Sequence, residues 1–249
     1  MILYPNAKIN IGLQVLNKRD DGYHDICSVF YPLFTFIDIL EIIPSDTFQF
    51  NTSGIFIPEG KNLCVKAWEI LNKDFGIDNV SIHLHKKIPI GSGLGGGSSD
   101  GSFTLIALNK IFNLNLDDTL LKKYALELGA DCPFFIENSP NIIKGVGDIM
   151  SPVNLNLDTY EIRVIDSKFH ISTSDVYRFI SPNNSRDCLE NLLIEPVDRW
   201  RDIIENDFES YVFSQYKSLK KIKENLYREG AVYVSMTGTG SAIYAIFEK

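Results

Sequence analysis

Apolar and polar residues alternate without a break from Ala7 to Val15: Ala7, Ile9, Ile11, Leu13 and Val15 are apolar, and Lys8, Asn10 and Gln14 fall between them. A period of two sends successive side chains to opposite faces of a strand. The pattern predicts a strand with one core face and a second face carrying Lys8, Asn10 and Gln14. A solvated strand face has the same pattern, so alternation alone does not separate a water-facing side from a working one. Asp21-Gly22 marks a turn over 19–25, and Tyr23 and His24 lie just past its tip, where packing and ligand contact are both open to them. Residues 27–43 are apolar and β-branched and predict two more strands, followed by a looser strand and loop over 46–60. The period lengthens to 3.6 over 62–75, where Leu63, Lys66, Ala67, Ile70 and Leu71 follow one face and Gly76 takes the stop position of a helix. Alternation returns at 80–85.

The next stretch breaks both periods. Pro89-Ile90-Gly91-Ser92-Gly93-Leu94-Gly95-Gly96-Gly97-Ser98-Ser99-Asp100-Gly101 holds six glycines in thirteen residues and leads into the apolar run 103–112. The order is strand, glycine loop, helix. Glycine lets a ligand approach bare backbone, and a helix start carries free N–H groups and a partial positive charge. Ser98, Ser99 and Asp100 suit the cap or first turn of that helix. The stretch therefore reads as a phosphate cradle, and a β-carbon on Gly95 or Gly96 would stand where phosphate oxygens approach. A mobile linker is the plainer alternative, but linkers seldom join a clean strand to a buried helix. No Gly-Lys-Ser/Thr follows, so this is not a Walker loop, and Gly91, Gly93 and Gly96 match G-x-G-x-x-G only weakly. About eighty residues come before it, whereas a Rossmann loop follows the first strand.

Farther on, 117–128 predicts an amphipathic helix with Leu120, Leu121, Tyr124, Ala125 and Leu128 as its stripe and Gly129 at its end. Asp131 then sits among small and apolar residues, where a carboxylate needs a partner or a task; a cap or turn aspartate is the plainer reading. A glycine turn over 144–148, a strand at 162–165, a helix start at 172–177 and a polar loop at 182–186 follow. A helix is expected over 207–228, with Leu219, Ile222 and Leu226 on one face and Gly230 as its stop. Strands at 231–236 and 242–247 flank a small-residue loop, Thr237-Gly238-Thr239-Gly240-Ser241, which by pattern is a hairpin turn.

Composition narrows this picture. The 249 residues suffice for one large domain or two small ones, and the break is expected near 145–160, giving domains 1–150 and 151–249. A net charge of −8 argues against a general nucleic-acid binder, so an anionic ligand would be drawn by helix starts and a few lysines. No apolar run reaches the roughly 20 residues of a membrane span, and the first residues lack the basic region and cleavage site of a signal peptide. Cys27, Cys64, Cys132 and Cys188 are widely spaced without C-x-x-C and read as reduced core thiols of a cytoplasmic protein, with no metal site.

Three stretches together carry a resemblance. Residues Pro89 to Ser99, the N-terminal Pro5-Asn6-Ala7-Lys8-Ile9-Asn10-Ile11-Gly12-Leu13 and the C-terminal 237–241 loop resemble the motifs of the GHMP kinases, the superfamily of galactokinase, homoserine kinase and mevalonate kinase. Gly22-Tyr23-His24 and Gly129-Ala130-Asp131-Cys132-Pro133-Phe134-Phe135 resemble the branch acting on 4-diphosphocytidyl-2-C-methyl-D-erythritol. The resemblance covers essentially the whole chain. It implies an α+β, two-domain GHMP kinase fold, with a ribosomal protein S5-like N-terminal domain and a ferredoxin-like α/β C-terminal domain. It implies transfer of the γ-phosphoryl group of ATP, with Mg²⁺ on ligands the motifs do not identify, to the 2-hydroxyl of that substrate, by a monomer or homodimer. Residue by residue, it makes Asp131 the base and Lys8 the group that orients and polarises the reacting centre. Residues Pro89 to Ser99 would hold the phosphates, and Asn62, Leu63 and Lys86 would lie near adenine. Asn10, Tyr23, His24, Thr173 and Tyr177 would bind the second substrate, with neither a nucleic acid nor a membrane as partner. Asp100-Gly101, and Asp148 closing the Gly145-Val146-Gly147 turn, depart from the family pattern. A homoserine or mevalonate type of kinase and a non-catalytic nucleotide-binding protein remain the rival readings.

Overall fold

A computed structural model describes residues 1–58, 60 and 62–249 of the chain. In chain order the strands and helices are β1 (Ile2–Leu3), β2 (Asn6–Lys18), β3 (His24–Ile37), β4 (Ile39–Pro44), β5 (Gln49–Gly54), α1 (Leu63–Phe75), β6 (Val80–Lys86), α2 (Gly96–Ile111), α3 (Asp118–Leu128), α4 (Cys132–Glu137), β7 (Asn141–Gly145), β8 (Ile149–Pro152), β9 (Tyr160–Ile165), α5 (Thr173–Phe179), α6 (Leu189–Leu192), α7 (Trp200–Ile203), α8 (Phe208–Gln215), α9 (Lys217–Arg228), β10 (Tyr233–Met236) and β11 (Ile243–Glu248). They form an α+β fold with sheets of order β1-β4-β6-β5, β2-β3-β7-β8 and β10-β11-β9.

The chain divides into two compact units. The first comprises Met1–Lys8, Pro32–Ile90 and Gly95–Ser139; the second comprises Ile9–Tyr31, Gly91–Leu94 and Pro140–Lys249. In the first, β5 and β6 are parallel, which requires a crossover, and α1 supplies it. Alternation on β6 buries Val80, Ile82 and Leu84, which pack with Leu40 and Ile42 of β4 against Ala67 and Leu71 of α1, Leu105 and Leu108 of α2, and Leu121 and Ala125 of α3. Both expected helix ends hold: Asn62 Oδ1 accepts from Cys64 N at 2.8 Å, and Gly76 closes α1 at φ 62°. In the second unit, β11 lies between β9 and β10, antiparallel to each. Val234, Met236, Ile243 and Ala245 of that sheet share a core with Phe208 and Val212 of α8 and Leu219 and Leu226 of α9.

Two expectations are corrected, and one alternative left open by the pattern is decided. The helix expected over 207–228 is two helices, because Tyr216 leaves helical geometry (φ −120°, ψ 76°) and sets its ring 5.3 Å from that of Phe169. The second face of β2 is not solvated: every residue from Asn6 to Val15 is buried, so its polar side chains require partners. Cys188 is exposed, whereas Cys27, Cys64 and Cys132 are buried thiols; burial pushes Cys27 up to about 12 and Cys132 up to about 11. No helix among the described residues is long and apolar enough to cross a membrane.

Candidate active site

The glycine loop runs from β6 into α2. Gly93 adopts φ 82°, and a β-carbon there would stand 2.1 Å from Thr237 O, so only glycine permits this approach to the 237–241 loop. Two hydrogen bonds hold the contact: Thr237 Oγ1 donates to Gly93 O at 3.0 Å, and Ala242 N donates to Ser92 O at 3.1 Å. Helix α2 starts at Gly96, and its N-cap is Gly95 in the left-handed region, with no side-chain cap. Ser98, Ser99 and Asp100 therefore lie inside the helix, the serines in its first turn, and of the two expected placements, cap or first turn, the structure has the second. The first N–H groups of α2 are left without a capping side chain and remain available to an anion.

The glycines differ in what surrounds them. A β-carbon on Gly96 would meet Ile88 Cγ2 at 2.7 Å and Lys86 Nζ at 2.9 Å, so this position faces protein, contrary to the expected approach of phosphate. On Gly95 it would stand 3.0 Å from both Lys8 Cγ and Phe135 Cζ. Nothing lies within 4 Å of a β-carbon on Gly97, which makes Gly97 the open side of the loop.

Lys8, on β2, places its Nζ 3.4 Å from Asp131 Oδ2. Asp131 stands at the start of α4, makes no capping bond and keeps its side chain 36% exposed, whereas that of Lys8 is 4% exposed. Burial lowers the Lys8 pKa, and the charge of Asp131 opposes that shift. The separation exceeds that of a tight charge-assisted hydrogen bond, so the carboxylate pairs with Lys8 and still reaches solvent. The stem of Lys8 passes beside Gly95, so the lysine, the carboxylate and the α2 end of the glycine loop meet within one unit.

Lys86 is placed differently from the other candidates. Its ammonium is buried between the carboxylates of Asp38 and Asp100, the latter at 2.6 Å. Asp38 Oδ1 also accepts from Lys87 N at 2.5 Å and Ile88 N at 2.8 Å, tying the end of β6 to the β3–β4 junction. Burial pulls the ammonium down, but Asp100 and Asp38 together outweigh it and hold its pKa above the ordinary lysine range. Burial pushes Asp100 up to about 8 against the pull of Lys86, because two carboxylates share one cation. The Lys86 side chain thus braces α2 from beneath.

In the second unit Asn10 Nδ2 donates to Ser28 Oγ at 2.9 Å, and Asn10 N donates to Thr237 Oγ1 at 3.0 Å. Thr173 Oγ1 and Thr239 Oγ1 lie 3.1 Å apart. The His24 and Tyr177 rings are 5.2 Å apart at 32°, and Tyr177 packs edge-on against Phe208 at 4.8 Å. Burial, with the charge of Lys18, keeps His24 below its ordinary pKa. Tyr23, beyond the turn, is 66% exposed, which excludes a core role for its ring.

The GHMP kinases N terminal domain matches residues 62–138, and the GHMP kinases C terminal domain matches 188–249. A 4-diphosphocytidyl-2-C-methyl-D-erythritol kinase of Azobacteroides pseudotrichonymphae is 44% identical over 100% of the chain and 94% of its own length; that of Bacteroides thetaiotaomicron is 46% identical over 100% and 92%. The chain belongs to the 4-diphosphocytidyl-2-C-methyl-D-erythritol kinase family. A crystal structure of 4-(cytidine 5'-diphospho)-2C-methyl-D-erythritol kinase superposes with a TM-score of 0.86 at 31% identity, covering 99% of the chain and 90% of its own. Homoserine kinase from Cytophaga hutchinsonii (TM-score 0.61, 16% identity, 98% and 86% covered) and L. major mevalonate kinase (TM-score 0.69, 15% identity, 99% and 89% covered) share the fold alone.

Sequence reasoning about this kinase-family chain gave no partner to three residues: Asp38 and Asp100, which hold Lys86 in the first unit, and Asn206 in the second. Asp38 showed nothing beyond its place between two strands. Asp100 carried a signal, its departure from the family pattern, without a partner to explain it. Asn206, in an unpredicted stretch before α8, donates to Met236 O and Gly238 O, both at 2.8 Å.

Proposed function

We propose that the chain transfers the γ-phosphoryl group of ATP to the 2-hydroxyl of 4-diphosphocytidyl-2-C-methyl-D-erythritol, a step in the non-mevalonate route to isoprenoid precursors. The observation that carries this reading is the Lys8–Asp131 pair beside Gly95: a half-open carboxylate and a buried ammonium at the start of a helix suited to phosphate. Phosphoryl transfer asks chiefly for positioning and charge stabilisation. Asp131 takes the hydroxyl proton, the freed oxygen bonds to the γ-phosphorus, and the bond to the bridging oxygen breaks to release ADP. Lys8 balances charge on the attacking oxygen and the transferred group. Backbone N–H groups within Pro89 to Ser99 hold the phosphates, Gly97 presenting the open face.

Adenine lies near Asn62, Leu63 and Lys86. The Asn62 side chain caps α1 and the Lys86 ammonium is held by carboxylates, so backbone is what these two offer the base. His24, Tyr177 and the exposed Tyr23 recognise cytosine, with Asn10 and Thr173 completing the second-substrate site. Among the described residues no group of three or more His, Cys, Asp or Glu side chains is placed to hold a metal. Mg²⁺ would arrive with ATP, held by its phosphates and water or also by the hydroxyl of Ser98 or Ser99, and would neutralise phosphate charge. Three buried free thiols support a cytoplasmic setting. The expected domains, 1–150 and 151–249, remain our division of the sequence. A coupled ADP-release assay with the cytidyl substrate, homoserine and mevalonate tests the reading. Turnover with the cytidyl substrate alone is expected; turnover only with either of the others would overturn it.

A further inference from the structure

The short segment before α8 is joined to β2 as if it were a strand. Leu13 N donates to Glu205 O, and Asp207 N donates to Leu13 O, both at 2.9 Å. Asn206 between them is 2% exposed. Its amide makes every bond that its position allows: Nδ2 donates to Met236 O and to Gly238 O, both at 2.8 Å, and Oδ1 accepts from Phe208 N at 3.0 Å. The reverse orientation of the amide would set its oxygen against two carbonyl oxygens, so this network fixes the side chain in one pose. The two accepting carbonyls flank Thr237, whose hydroxyl reaches Gly93 O and whose carbonyl packs against the Gly93 backbone. All of these residues belong to the second unit.

We propose that Asn206 is a positioning residue for the nucleotide: by fixing Thr237 and Gly238 it sets the backbone of Ser92-Gly93, the first half of the phosphate-binding loop. The inference rests on the kinase reading above. Loss of the amide frees both carbonyls, and the Thr237 hydroxyl then holds Gly93 only part of the time. The loop must be ordered again when nucleotide binds, which weakens ATP without touching recognition of the cytidyl substrate.

The test is isothermal calorimetry with a non-hydrolysable ATP analogue and, separately, with the cytidyl substrate, on wild type, Asn206→Ala, Thr237→Val and the double variant, with thermal melts alongside. The analogue should bind about tenfold more weakly to either single variant, which is about 1.4 kcal/mol. Cytidyl affinity should stay within about twofold in Asn206→Ala; Thr237→Val also removes the hydroxyl that bonds Asn10 of the second-substrate site, so that variant is read on the analogue alone. In the double variant the two losses should fall short of adding, as for residues acting through one contact. Unchanged analogue affinity in a folded Asn206→Ala protein overturns the proposal, as does an equal loss for both ligands, which would mark general loosening. If Asn206→Ala does not fold, Thr237→Val alone decides, because unchanged analogue affinity there breaks the same chain of contacts. A wild type that fails to bind the analogue speaks against the kinase reading, whereas unaffected variants speak against Asn206 alone.

Discussion

Replacing Lys86 by methionine should destabilise the protein in a way that depends steeply on pH. Lys86 and Asp38 are 2% and 0% exposed, and Asp100 joins them at 2.6 Å from the ammonium. Methionine fills much of the space but leaves two buried carboxylates facing each other without a cation. Each must then take up a proton or stay charged at greater cost. Asp100, pushed up to about 8 even beside Lys86, takes up a proton at little cost once the cation is gone. The added cost is therefore that of protonating Asp38. An exposed aspartate titrates near 3.9, so loading that proton at pH 7 requires about 3 pH units at about 1.4 kcal/mol each, or about 4 kcal/mol. This agrees with the roughly 3–5 kcal/mol typical of breaking a buried pair. The loss should shrink by about 1.4 kcal/mol per unit as pH falls and nearly vanish near pH 4. Wild type has its own signature. The Asp100 pKa is raised by folding, so between about 4 and about 8 the native state holds a proton that the unfolded chain releases. Stability contributed by that proton declines as pH rises through this window and levels off above it. Asp100→Asn should remove the slope. Urea unfolding of wild type, Lys86→Met and Asp100→Asn at pH 5, 7 and 9 measures all of this. A Lys86→Met penalty that is small, or equal at pH 5 and 7, would refute the reasoning.

Three further outcomes are expected. Asp131→Asn should lower turnover by about 10²–10⁴-fold, the usual effect of losing a general base, with ATP affinity nearly intact; wild-type turnover in the ADP-release assay would remove Asp131 from the mechanism. Gly97→Val should weaken ATP binding with little change in melting temperature, whereas Gly96→Val should lower the melting temperature because it strikes Ile88 and Lys86; calorimetry and thermal melts separate the two, and equal ATP affinity in wild type and Gly97→Val argues against the cradle. Tyr23→Ala should raise the KM for the cytidyl substrate by about ten- to a hundredfold, the value of one stacked base, without changing the melting temperature; an unchanged KM removes Tyr23 from cytosine recognition.

Local signals in the sequence located most elements and both glycine loops. Asn62 and Gly76 closed a helix where capping chemistry placed them, and the alternation at 80–85 found β6. What escaped depended on residues far apart in the chain. The serines after the glycine run have the chemistry of a cap, but the backbone turns into α2 at Gly95, where Lys8 and Phe135 leave little room for a side chain. Tyr216 breaks a helix that local pattern would continue because its ring packs against Phe169. The even positions of β2 have a pattern that a solvated face shares, and partners distant in the chain, Asp131 for Lys8 and Ser28 and Thr237 for Asn10, help to explain how they tolerate burial. Asp38 and Asn206 lie in stretches without a period, and their roles arise from the partners the fold brings to them.

The division of the chain into interleaved segments bears on how the protein is made. Each unit is assembled from three separate stretches, and the first is incomplete until Ser139 has been synthesised. The second waits longer, because β11, at Ile243–Glu248, is the middle strand on which both β9 and β10 pair. On the ribosome β9 and β10 have no common neighbour until those residues emerge, and the apolar faces of α8 and α9 stay uncovered with them. The second unit therefore keeps apolar faces uncovered until β11 has been made, long after the first unit has all of its segments.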